Sequence, residues 1–207
     1  MPTIDRIAFE DSSVNYLIPS WDDLNHLSFE ISQQIHQQNQ QFDRIVTLAK
    51  GGWPMTRSLV DYLTIDKVAS IGVQFYKKGV NQRFEQPNIY QDIPISVRGE
   101  TVLLFDDVAD TGTSLEFTIN YLKTRGVKTV KTATLFYKPH SVIKPDFYAQ
   151  ETSDWIIFPY DLVEMIEVLG KKWQKQDLPQ SEISSRFDQL GFNREITAYY
   201  QQRLSTD

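Results

Sequence analysis

The chain has 207 residues, 41% hydrophobic and 23% charged, enough apolar material for a core, so a wholly disordered chain is excluded. At roughly 150 residues per domain the length amounts to about 1.4 domains, that is, one domain with an extension rather than two. Twenty-seven acidic against 21 basic residues give a net charge of −6, which argues against a surface that tracks nucleic acid, and the lack of cysteine removes disulfides, thiolate zinc sites and a cysteine nucleophile.

Residues 1–10 have neither the basic nor the apolar stretch of a secretory signal, and no apolar run approaches the ~20 residues that cross a bilayer. The expectation is a cytoplasmic protein with no membrane or nucleic-acid partner. A first helix is predicted after Ser20, a good N-cap, with Leu24, Leu27, Ile31 and Ile35 on one face. Residues 43–49 read as a short buried strand running into a Lys50-Gly51-Gly52 loop, and Pro54 stands in the first turn of a helix continuing over 55–63. Residues 68–74 are the next expected strand. The polar stretch from Tyr76 to Gly99, with scattered lysines and prolines, reads as a long loop of the kind that serves as a lid or arm. Residues 101–105 are the clearest buried strand, ending in Asp106-Asp107. An amphipathic helix follows over 113–124 through Leu115, Ile119 and Leu122, with Gly126 just past its end. Residues 130–137 and 155–158 are further strands, and beyond Pro159 the tail turns helical near 161–169, 181–190 and 193–204. Strands alternating with helices predict an α/β fold with a mainly parallel twisted sheet and helices on both faces.

The strand that ends in two carboxylates is the most informative stretch. It delivers both acids to the carboxyl edge of a sheet, where open α/β folds bind ligands. Asp110-Thr111-Gly112-Thr113-Ser114 then supplies hydroxyls, a glycine and backbone N–H groups at a helix N-terminus, the chemistry of a phosphate cradle. Vicinal carboxylates beside such a cradle suit a sugar phosphate: the acids take ribose hydroxyls or a magnesium ion, and the cradle takes the 5′-phosphate. A plain Asp-capped helix after a strand would share the Asp-Thr-Gly turn but not the whole run from Val102 to Ser114. That run resembles the phosphoribosyl pyrophosphate (PRPP) signature of the type I phosphoribosyltransferases, which reads four apolar residues, two acids, an apolar residue, any residue, Asp or Thr, then Thr/Ser-Gly-any-Thr/Ser. It fits at every position.

The resemblance implies the type I phosphoribosyltransferase fold over residues 1–164, with a small base-binding hood, and a helical C-terminal extension over 165–207. It also implies a second loop that cradles pyrophosphate, and Lys50-Gly51-Gly52 lies where that loop belongs. Many relatives carry Arg at the position of Lys50, so a point charge replaces a bidentate contact here. Phe136-Tyr137-Lys138-Pro139 and the segment Asp154 to Asp161 are similar to the base-binding part of bacterial xanthine-guanine phosphoribosyltransferases, whose Trp-Ile-x-x-Pro-Trp-Asp is matched here with Tyr160 in place of the second Trp. Carried across, Lys138 contacts the purine 6-oxygen, Trp155 stacks on the ring, the Ile156 carbonyl reads the base amine, and Asp161 approaches metal and pyrophosphate. A lysine suits a 6-oxo base because an ammonium only donates. The usual Ser-Tyr pair of the closing loop is missing, and Tyr76 is the nearest candidate to serve it. His26, His36 and His140 have no metal-ligand spacing, and His140 reads as a loop residue beside the base-binding lysine.

The implied activity is purine salvage: a 6-oxopurine (xanthine, guanine or hypoxanthine) and PRPP give a nucleoside 5′-monophosphate and pyrophosphate with Mg2+ as cofactor. Asp106 and Asp107 hold the ribose hydroxyls directly or through the metal, with Asp161 as a further metal contact. Asp110 is the general base or acid at purine N7, and Thr111, Gly112, Thr113 and Ser114 grip the 5′-phosphate. Family members commonly form homodimers or homotetramers. Two other readings remain open on the residues alone: a PRPP-sensing regulator with the same pocket, and a phosphoribosyltransferase for a non-purine base.

Overall fold

In a computed structural model, which describes residues 3–77 and 85–204, the chain begins with strands β1 (Asp5–Ala8) and β2 (Asn15–Ile18), followed by α1 (Trp21–Gln37), β3 (Arg44–Ala49), α2 (Trp53–Leu63) and β4 (Val68–Lys77). Then come β5 (Glu85–Gln91), β6 (Thr101–Ala109), α3 (Thr113–Thr124), β7 (Thr129–Tyr137), β8 (Phe147–Glu151) and β9 (Trp155–Ile156). Helices α4 (Leu162–Gln174), α5 (Gln180–Gln189) and α6 (Arg194–Leu204) complete the order. The chain divides into two compact units, Leu24–Ser153 and the pair Pro2–Asp23 with Asp154–Asp207. Among the described residues no helix is long and apolar enough to cross a membrane.

The first unit holds a six-stranded sheet in the order β5-β4-β3-β6-β7-β8. All its pairs are parallel except β4–β5, which is antiparallel. The expected mainly parallel sheet is therefore the observed one. Strand alternation explains why helices are needed on both sides. Val46, Leu48, Val102 and Leu104 share a buried cluster with Leu115 and Leu122 of α3. Ile45, Leu103 and Phe105, on the opposite face, are as fully buried. Thr47 lies on that second face, and a Cβ on Gly52 at the start of α2 would meet its hydroxyl, which places α2 there. The side of α1 packs on α2, with Ser58 and Tyr62 hydroxyls both donating to Asn25 at 3.0 Å.

Ser20 caps α1 as expected. Its hydroxyl accepts from the Asp23 amide, and the Asp23 carboxylate accepts from the Ser20 amide at 2.8 Å, a reciprocal capping box. Two expectations change. The stretch 76–99 is not a single loop, because residues 85–91 form β5 against β4. Its alternation was masked by a proline and glutamines, and the edge position tolerates Pro87 because only one side of the strand is paired. Residues 78–84 of that stretch lie outside the described residues. Next, β6 does not end at Phe105 but runs on to Ala109, since β7 continues to pair with it up to Ala109↔Tyr137. Pairing with β3 stops at Thr47↔Phe105, so the two acids occupy the part of β6 that has lost one neighbour.

The second unit contains a three-stranded sheet, β1-β2-β9, with β2 parallel to β9 and antiparallel to β1. Helices α4 to α6 supply most of its core. Trp173, Ile183, Phe187 and Leu190 are almost fully buried with Tyr16 and Phe9. The Trp173 ring lies 5.6 Å from Phe9 and 5.0 Å from Phe187 in edge contacts. The large apolar residues of α5 and α6 divide: Ile183, Phe187 and the following Leu190 are buried, Tyr200 is partly buried, and Ile196 and Tyr199 stay exposed.

Candidate active site

At the carboxyl edge of the first unit's sheet, three backbone segments converge on β6. The first is the loop after β3, where the Ala49–Lys50 peptide is cis. It closes with the Gly52 amide donating to the Leu48 carbonyl and the Trp53 amide to Lys50, at 3.0 and 3.1 Å. Lys50 is exposed and Asp107 is buried. A Cβ on Gly51 would stand 2.6 Å from both Cγ and Oδ1 of Asp107, so only glycine lets the loop lie on that carboxylate. The Tyr90 hydroxyl of β5 donates to the Ala49 carbonyl at 3.4 Å, adding a contact from the edge strand.

Asp106 and Asp107 are adjacent in sequence and therefore point to opposite sides of β6. Asp107 turns toward the Lys50–Gly52 loop, and its Oδ1 accepts from the Val108 amide at 2.7 Å. Asp106 accepts from the Asp107 amide at 3.0 Å. Burial, and then the charge of Asp107, push the Asp106 carboxyl well above the ordinary aspartate value, against the pull of that amide. Among the described residues no three His, Asp or Glu side chains are gathered to hold a metal. The acids on offer are Asp106 and Asp107, one on each side of the strand, so either would give an ion a single carboxylate. That suits magnesium, which commonly takes one or two carboxylates and completes its shell with water and substrate phosphate oxygens.

The second segment is the turn from Asp110 to Ser114. Gly112 caps α3 with φ 78°, the left-handed region that favours glycine, and a Cβ there would stand 2.9 Å from the Ile143 amide nitrogen. Thr111 and Thr113 hydroxyls lie 2.9 Å apart and are exposed. The first amides of α3 and these hydroxyls form one polar surface, of the type that receives an anion.

Lys138–Ile143 is the third segment, a turn pinned to the second by backbone. The Lys138 amide donates to Ala109 at 3.0 Å and the Val142 amide to Thr111 at 2.9 Å. As a result Asp110 Oδ1 lies 3.3 Å from Lys138 Nζ and 2.9 Å from His140 Nε2. Lys50 to Gly52, Asp106, Asp107, Asp110 to Ser114 and Lys138 thus meet at one sheet edge, as the sequence pattern expects. His140 joins them although sequence reasoning gave it no role. Its contact is with a residue 30 positions away, and a lone histidine after Lys-Pro carries no local signal of it.

In the second unit Trp155 is exposed, and Ile156 is buried in β9. Asp161 stands at the start of α4, its carbonyl accepting from the Met165 amide at 2.9 Å. Tyr160, which replaces the second Trp of the family pattern, stacks on Phe158 at 5.1 Å. The backbone of Tyr76 belongs to β4 and pairs with Gln86, while its side chain lies outside what is described.

Similarity to known proteins agrees with this geometry. The chain is 28% identical to the hypoxanthine-guanine phosphoribosyltransferase of Bacillus subtilis over 130 residues, 58% of this chain and 69% of that protein. It is 27% identical to the xanthine-guanine phosphoribosyltransferase of Idiomarina loihiensis over 145 residues, 69% of this chain and 85% of the relative. The crystal structure of a purine phosphoribosyltransferase from Pyrococcus horikoshii superposes with a TM-score of 0.63 at 32% identity, covering 70% of this chain and 93% of that one. A family model described as the phosphoribosyl transferase domain matches residues 20–164. On the strength of that match and of the sheet edge it spans, the chain belongs to the phosphoribosyl transferase family.

Proposed function

We propose that the protein is a purine salvage enzyme that transfers the phosphoribosyl group of PRPP to a 6-oxopurine. The observation that carries the reading is the meeting of Asp110 with Lys138 beside the Thr111–Ser114 turn: an acid–base group, a donor for a 6-oxo group and a phosphate cradle sit on one rigid edge. The purine nitrogen forms its bond to C1 of the ribose as the bond to pyrophosphate breaks. Asp110 takes or returns the proton at N7, work that needs a carboxylate within hydrogen-bond reach. Thr111 to Ser114 hold the 5′-phosphate. Lys50 and the amides of Gly51 and Gly52 oppose the charge that develops on pyrophosphate. Asp106 and Asp107 hold the ribose hydroxyls and would carry Mg2+, which neutralises substrate phosphate charge when bound. Trp155 stacks on the base, the Ile156 carbonyl reads its amine, and Asp161 contributes to the metal and pyrophosphate end.

Incubation with PRPP, magnesium and each of hypoxanthine, guanine, xanthine, adenine, uracil and orotate tests the reading. Nucleoside monophosphate from one or more of the first three is expected. Product from uracil or orotate alone would assign a different base, and no product from any base would leave a PRPP-binding regulator.

A further inference from the structure

We propose that His140 is a positioning residue for Asp110, holding its carboxylate in register while Lys138 turns to the oxygen of the base; this rests on the phosphoribosyl-transfer reading above. One oxygen, Oδ1 of Asp110, takes both partners, Lys138 Nζ at 3.3 Å and His140 Nε2 at 2.9 Å. The two partners differ in what a bound base does to them. A 6-oxo group competes with Asp110 for the lysine ammonium, so Lys138 is drawn off when substrate binds. The terminal torsion of an aspartate is broad and roughly two-fold, so a carboxylate that loses one of its contacts needs another to keep its lone pair aimed. His140 is the remaining one of the two.

The chemistry of the pair fixes the tautomer. An ionised carboxylate only accepts, so Nε2 must carry the hydrogen, and a neutral imidazole can donate it without bringing a further positive charge to the acid–base group. The approach of His140 is set by backbone rather than by chance of rotamer. The Lys138 and Val142 amides are bonded to the Ala109 and Thr111 carbonyls, on either side of Asp110, and the Ser141 amide donates to Lys138 at 2.9 Å to close the turn. Gly112 completes the fit, since a Cβ there would collide with the Ser141 hydroxyl.

The test is a double-mutant cycle with steady-state kinetics on PRPP and the preferred 6-oxopurine. His140→Ala is expected to lower kcat about tenfold, the scale of one hydrogen bond to a charged group, with the KM for PRPP unchanged. His140→Gln, which keeps an uncharged donor, should recover most of that loss. In an Asp110→Asn background His140→Ala should cost nothing further, because the residue acts through the carboxylate. Wild-type kcat in His140→Ala, failure of Gln to rescue, or losses that multiply in the double variant would each overturn the proposal. If Asp110→Asn is slow while His140→Ala is not, His140 alone is refuted. If Asp110→Asn turns over normally, the acid–base reading falls first and takes the positioning role with it.

Discussion

In the Leu24–Ser153 unit the charged groups gather at one edge of a sheet that is buried on both faces, and they are held there by backbone. Asp107 lies under the Lys50–Gly52 loop, and Asp110 is set by the turn that carries Lys138 and His140. In the Pro2–Asp23 and Asp154–Asp207 unit the buried charge of Arg186 is offset by carboxylates of the same unit. Its guanidinium lies 4.8 Å from the Phe9 ring centroid and 5.6 Å from that of Trp173, bonded to Asp11 at 3.0 Å and Glu182 at 3.1 Å. The contrast separates two uses of polar side chains. Carboxylates left crowded at a sheet edge, like Asp106 with its raised pKa, cost stability unless a ligand or cation completes them. An arginine flanked by aromatic rings, with Nε and Nη2 paired to two carboxylates and only Nη1 left without a hydrogen-bond partner, has its charge offset within the fold and serves packing. Substitutions in the first group should therefore change activity more than stability, and those in the second group the reverse.

The largest expected effect lies in the second unit. Trp173→Ala removes a fully buried ring from the aromatic core and should cost about 3–5 kcal/mol in chemical denaturation. An unchanged midpoint would show that the helices do not depend on this core. Asp110→Asn should lower turnover by about 100-fold or more, with the KM for PRPP and the thermal midpoint close to wild type. Equal losses in turnover and PRPP affinity would sink the acid–base role. Trp155→Ala blurs the division in an informative way, because the residue belongs to the second unit yet is exposed and free of its core. It should raise the KM for the base about tenfold and leave stability alone; an unchanged KM counts against stacking.

The smallest effect concerns a partly buried pair in the first unit that is away from the acids of the site. Arg44 donates from Nε and Nη2 to Glu100 at 2.7 and 2.9 Å, and this bidentate contact holds the Glu100 carboxyl below the ordinary glutamate value. A carboxyl whose pKa is lowered by folding stabilises the fold fully above its unfolded value, and the contribution is lost as pH falls through the folded value. Glu100→Gln should thus cost about 1 kcal/mol near neutral pH and flatten the acid side of the stability profile. An acid limb identical to wild type would mean that other carboxylates set it.

The legible parts of the chain were those in which short-range pattern and long-range packing agree. The short, β-branched and largely apolar runs at 45–49 and 101–105, bounded by turn residues, fit strands covered on both faces, and the heptad-like spacing of Leu24, Leu27, Ile31 and Ile35 leaves a single buried face, all four being at or below 1% exposure. The Val102–Ser114 pattern located the phosphate turn and the acids because each residue type there has a local task. Strands β1 and β2 were missed for the opposite reason. They are four residues each, and β1 is mostly exposed, so their pairing comes from one another and from β9 rather than from their own composition. The strand β8 was missed as well, its Phe147 and Ala149 alternating over a span too short to stand out.

By itself the amino-acid sequence determined the fold class, the position of the PRPP pattern and the chemical types gathered in it. Those depend on periodicity and on residues that are neighbours in the chain. Only the tertiary structure decided which side of β6 each acid faces, that β6 outruns β3 and so leaves them with a neighbouring strand on one side, and that the Lys138–Ile143 turn folds onto Asp110 with His140 in reach. These outcomes turn on strand register and on amide-to-carbonyl bonds between segments some 30 residues apart, such as Lys138 to Ala109 and Val142 to Thr111. Backbone groups are the same in every residue, so no local pattern of side chains could announce them.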